Sequence, residues 1–141
     1  MASDGPVDWR LEVVRRSDGL VLWDHPVRVG ACFTLDYVHS SDHTPVHDLF
    51  AVGAGGELVL IEERFDWYGS GLEFHPTAEI RFCEEGTRVR LNRSFSFLAL
   101  RVGQVAGQVL TVHQTRLPLL KVAKPMESVC LRIARPTDRN R

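Results

Sequence analysis

The chain has 141 residues, 44% of them hydrophobic, which suits one domain with a real core and argues against general disorder. Its formal net charge of -1 excludes a global attraction to nucleic acid or to an anionic membrane surface. No apolar run approaches the ~18 residues that a membrane-spanning helix needs, so no membrane span is expected in this chain.

In chain order, the N-terminal "MASDGPVDWR" lacks the basic-then-apolar pattern of a secretory signal. The expectation is a cytoplasmic protein, or one from which a leader has been removed. From there the sequence is short-period and punctuated by glycine and proline. Candidate strands are "WRLEVV", "GLVLW", "PVRVG", "CFTLDYVH", "VHDLFAV", "ELVLIEERF", "AEIRFC", "TRVRLN", "FLALRV", "QVLTVH" and "SVCLRIA". Their Val, Ile, Phe and Leu suit a pleated, half-buried surface. Turn signals such as "SDG", "GAGG", "YGSG" and "VAGQ" separate them. Without helical crossovers a parallel sheet is disfavoured. The fold class expected is all-β: an antiparallel β-sandwich or a partly closed β-barrel, with one domain over 1–135 and a flexible tail over 136–141.

The functional signal concentrates in "YVHSSDHTPVHDLF", residues 37–50, where His39, His43 and His47 are spaced by four. Pro45 and the flanking alternation argue against a helix, so the spacing does not bring the three together. A hairpin register that pairs Leu35 with Val52 and Tyr37 with Phe50 sets apolar on apolar. It then places His39 opposite Asp48, His47 opposite Ser40, and the turn on residues 42–45. Strand alternation sends His39 and His47 to opposite faces. The bland reading of His39 and Asp48 is a polar pair that pins the register; the sharper one is the floor of a pocket. A divalent metal held by His39, Asp48 and a third group is the alternative, and a hydrolase using His39 with Ser40 or Ser70 is a weaker one.

Other features are less specific. "VGAGGELV" reads as a hairpin turn, because a phosphate loop needs a following helix. Gly69, Ser70 and Gly71 form either a turn or an anion-binding loop. They are not a nucleophile elbow, whose glycines stand two residues either side of the serine, where this chain has Tyr68 and Leu72. Arg88 and Arg90 share a strand face that reads as solvated. Cys32, Cys83 and Cys130, far apart and without zinc-type spacing, read as buried thiols, and Trp9, Trp23 and Trp67 as core.

At "HSSDHTPVHDLF" and "FDWYGSGLEF" the sequence resembles a small prokaryotic family of unknown function, often encoded beside or fused to the membrane subunit of TRAP-type transporters of the TAXI class. On that resemblance the His-Ser pair is His39 and Ser40, the first acid Asp42, the Pro-Val pair Pro45 and Val46, the second acid Asp48, and the glycine turn Gly69, Ser70 and Gly71. Both acids are Asp where Glu is more usual, and Ser41 and Ser70 replace a hydrophobic residue and an alanine. The resemblance implies an extracytoplasmic, transporter-associated setting and no established activity. The function expected is a non-enzymatic accessory domain that binds a small-molecule ligand or a transporter membrane subunit, through His39, Ser40, Asp42, Asp48 and the Gly69–Gly71 turn.

Overall fold

A computed structural model describes residues 9–39, 43–65, 79–83 and 86–136. The strands are β1 (Trp9–Arg15), β2 (Val21–Val27), β3 (Cys32–Val38), β4 (Pro45–Val52), β5 (Leu58–Phe65), β6 (Glu79–Cys83), β7 (Gly86–Phe95), β8 (Phe97–Arg101), β9 (Val109–Val112), β10 (Thr115–Pro118) and β11 (Ser128–Ala134). One 3₁₀ turn, Leu119–Lys121, leads into the last connection. The all-β expectation holds in its sandwich form. A four-stranded sheet in the order β2-β1-β11-β8 faces a seven-stranded sheet in the order β10-β9-β3-β4-β5-β7-β6, and every ladder is antiparallel. Among the described residues neither sheet closes on itself, so the barrel alternative falls away.

Alternation builds the core. Leu11 and Val13 of β1 and Val129 and Leu131 of β11 point inward from one sheet. Phe33, Phe50, Val52, Leu58, Leu110 and Val112 point inward from the other, and all belong to one buried cluster. Each fully buried Leu, Val or Phe side chain contributes about 1.5–3 kcal/mol of apolar transfer. The "GAGG" segment is a hairpin turn as expected: Gly53 N–H donates to the Glu57 carbonyl at 2.8 Å, joining β4 to β5. Gly56 there has φ 82°, and a Cβ on it would lie 2.6 Å from the Trp9 ring, so only glycine serves.

Three expectations need correction. "GLVLW" and the start of "PVRVG" are one strand, β2; it lies at a sheet edge, where Pro26 breaks no ladder needed on both sides. The edge strand β10, "TRLP", has too few residues to carry an alternating signal. Cys32 is exposed and Cys130 only half-buried, both as free thiols, because each falls on its sheet's outward parity. The side chain of Cys83, together with Trp67 and the tail beyond residue 136, lies outside the described residues. Trp9 is buried as expected, and Trp23 packs against the core.

Candidate functional site

The β3–β4 hairpin positions the residues of interest. Its observed register pairs Phe33 with Phe50, Leu35 with Asp48, Asp36 with His47 and Tyr37 with Val46. This is a four-residue slide from the register expected above, so His39 does not face Asp48, and His47 does not face Ser40. His39 lies past the end of β3, exposed, where its N–H donates to the Thr44 carbonyl at 2.8 Å and its carbonyl accepts from the His43 N–H at 2.7 Å. At about 3.3 Å per residue, four residues of strand put His39 about 13 Å from the Leu35–Asp48 row. The reason lies at the far end of the hairpin. The expected register sets Phe33 opposite Ala54, inside the glycine turn that ends β4. The observed one stacks Phe33 on Phe50, with ring centroids 5.3 Å apart and planes 9° from parallel.

The slide is even-numbered and preserves faces. On the outer face, His47 Nδ1 lies 2.6 Å from Asp36 Oδ1, and both side chains keep contact with water. On the inner face, Asp48 is 6% exposed, and its Oδ2 accepts from the Tyr37 hydroxyl at 3.1 Å.

A second element completes this inner cluster. In β5 the register shifts between Leu60 and Glu62, so Ile61 is an extra residue against β4. Before the bulge, Leu58 and Leu60 face inward; after it, the inward positions are Glu63 and Phe65. Glu63 therefore pairs with Asp48, and the row continues to Val89 of β7. Glu62 falls on the outer face, 3.6 Å from Arg88 Nε.

Two carboxyl groups side by side in a poorly solvated place cannot both ionise. Asp48 Oδ1 is buried with no donor among the described residues. Burial pushes the Asp48 carboxyl up to about 9. Hydrogen bonding to Glu63 and repulsion by it add to that, Asp36 contributes a little, and the Tyr37 hydroxyl pulls the other way. At neutral pH Asp48 thus holds a proton, and that proton is what allows two acid side chains to hydrogen-bond to each other. The Tyr37 phenol is also raised, by burial first and then by Asp48 and Glu63, so it stays a neutral donor.

Beside this cluster the two sheets leave a cavity of about 200 Å³. Leu35, Tyr37 and Asp48 line it from the seven-stranded sheet, Leu98, Ala99 and Leu100 of β8 from the other, and Gln108 at one end. The Gln108 amide is spent on the fold: Nε2 donates to the Arg101 carbonyl at 2.8 Å, and Oε1 accepts from the Gly103 N–H at 3.2 Å.

Of the residues the sequence singled out, Asp48 is inside this site and His39 is not. Ser40, Asp42 and the Gly69, Ser70 and Gly71 turn lie outside the described residues. Among the described residues, no group of three His, Cys, Asp or Glu could hold a metal ion, and no helix is long and apolar enough to cross a membrane. Sequence reasoning missed Glu63 and the facing β8 wall. A signal for Glu63 existed: Leu58 and Leu60 are even-numbered and Phe65 is odd, so one strand can bury all three only with a bulge between them.

This all-β sandwich, with an acid pair in its interior, belongs to a family known by its sequence rather than by its chemistry. The chain belongs to the family described as a domain of unknown function, DUF1850, whose profile matches residues 33–119. That span holds the seven-stranded sheet except Cys32, together with β8, hence every residue lining the cavity. No curated protein and no solved structure matches the chain.

Proposed function

We propose that this domain is a non-enzymatic accessory module that binds a small ligand in the cavity between its sheets. The observation that carries the reading is a cavity of about 200 Å³ between the sheets, with mostly apolar walls and the acid residue Asp48 among those lining it. The cavity lies below the roughly 300–1,000 Å³ of drug-sized sites, which suits a ligand of a few heavy atoms.

The resemblance at "HSSDHTPVHDLF" supports a setting outside the cytoplasm, beside a transporter membrane subunit to which the bound module would report. The decisive measurement is a thermal-shift panel of amines, amino acids, alcohols, dicarboxylates and divalent metals, run on the wild type and on Leu98→Trp. The indole would fill the cavity from the β8 wall. A compound that raises the wild-type Tm but not that of Leu98→Trp is the expected result. Silence across the whole panel would sink the reading, and a metal-induced shift that Leu98→Trp leaves intact would move the site elsewhere.

A further inference from the structure

We propose that one end of the sandwich is a membrane-contact surface, which sets a small apolar tip against a bilayer containing anionic lipid. The inference does not depend on the cavity or on a ligand bound there.

Strand direction defines that end. β1, β3, β8 and β10 finish there, and β2, β4, β9 and β11 begin there. Three connections, 16–20, 102–108 and 119–127, are stitched into it by main-chain hydrogen bonds. Arg16 N–H donates to the Ser128 carbonyl at 3.0 Å, Leu119 N–H to the Gln108 carbonyl at 2.9 Å, and Met126 N–H to the Val102 carbonyl at 2.7 Å.

Among the described residues six large apolar side chains are exposed, and four of them stand on these connections: Leu20, Val105, Leu120 and Met126. The two most exposed, Met126 at 67% and Val105 at 57%, line one hollow together with Ala106 and Pro125. The connections at the opposite end expose only Val29. A single exposed apolar residue is ordinary, but a group gathered at one end marks a contact surface. The backbone of Met126 adds to this. Its φ of 72° is costly for a long side chain, and the hydrogen bonds from the Met126 and Glu127 N–H groups hold it there. The turn gives up stability to keep the methionine in water.

Charge selects the occupant. The exposed cations at this end are Arg16, Arg101, Lys121 and Lys124, the last two being the chain's only lysines. The described acids there are Asp18 and Glu127, and both are bonded to Arg15, at 3.0 and 2.8 Å. The four exposed cations therefore dominate the local field, although the chain as a whole carries -1. Hydrocarbon at a tip with arginine and lysine around it suits an anionic bilayer. The tip sinks among the head groups while the long basic side chains reach the lipid phosphates. A folded acidic partner would match the cations, but these three connections offer it no aromatic anchor.

The test is sedimentation of the full chain with vesicles of phosphatidylcholine alone and of phosphatidylcholine mixed with phosphatidylglycerol, at low and at high salt. The expected result is binding to the mixed vesicles at low salt, lost at high salt, with little binding to phosphatidylcholine alone. Each cation near an anionic surface contributes about fivefold in partition, so Lys121→Gln combined with Lys124→Gln should weaken binding about twentyfold. Val105→Asp and Met126→Asn should each weaken it at least about tenfold. Asparagine accepts the left-handed backbone, so Met126→Asn should fold as well as the wild type. Val29→Asp, at the opposite end, should leave binding unchanged. No binding to the mixed vesicles overturns the inference, as does binding that Val29→Asp weakens as much as Val105→Asp. Binding lost with the two lysines but kept by Val105→Asp and Met126→Asn would point to an acidic protein partner instead, and also overturns it.

Discussion

Asp36 and Asp48 stand on adjacent strands of one hairpin, on opposite faces of the same sheet. Asp36 meets His47 at 2.6 Å with side chains 39% and 28% exposed, so water screens the pair and neither group depends on the other for its solvation. Asp48 meets Tyr37 and Glu63 at 6% exposure, and there the cheapest state is a neutral one. The two aspartates have the same chemistry and differ by a pleat. The comparison teaches that depth, rather than residue type or spacing, separates an acid that faces water from one that holds a proton beside a cavity.

Placing a lysine on each face is the most severe test of that contrast. Asp48→Lys forces a longer side chain and an ammonium into the interior beside Tyr37 and Glu63 and should cost about 3–5 kcal/mol or prevent folding, whereas Asp36→Lys should change stability by under about 1 kcal/mol. Urea denaturation of both variants reads the difference, and equal losses would erase the distinction between the faces.

The next effect is a pH dependence. Folding takes up a proton on Asp48 wherever the unfolded carboxyl, at about 4, is ionised and the folded one, at about 9, is not. The unfolded state then binds fewer protons than the folded one, so the stability contributed by this group falls as pH rises from about 4 to about 9. Asp48→Asn should flatten that slope and exceed the wild type at pH 9. Denaturation curves at pH 5, 7 and 9 that are parallel for the two proteins would show that Asp48 titrates normally.

Smaller effects separate the partners. Tyr37→Phe removes the donor to Asp48 Oδ2 and should cost about 1–2 kcal/mol, measured as a shift in the urea midpoint. The alkaline loss of stability should also move to higher pH, since the hydroxyl favours the ionised acid. On the outer face, His47→Ala should cost less than about 1 kcal/mol, and the cost should shrink in high salt. A loss as large as that of Tyr37→Phe would mean the outer pair is not solvent-screened after all.

The strand positions were largely legible because a face must be buried, and a one-residue error turns a whole strand inside out. The same rule put Asp48 on the core side and separated His39 from His47. It could not choose between registers four residues apart, since both keep every side chain on its face. That choice was made by Phe33, which finds Phe50 in one register and the glycine turn in the other. The expected His39–Asp48 pair was lost at that step.

From its sequence alone, this chain is an antiparallel all-β protein with an acid at an inward position of the β3–β4 hairpin. Alternation is a local property, and each strand carries it independently. Only the tertiary structure decided what that acid touches. The hairpin register, the bulge at Ile61 that turns Glu63 inward, and the β8 wall across the core all depend on contacts between residues far apart in sequence, which period-two patterning does not encode.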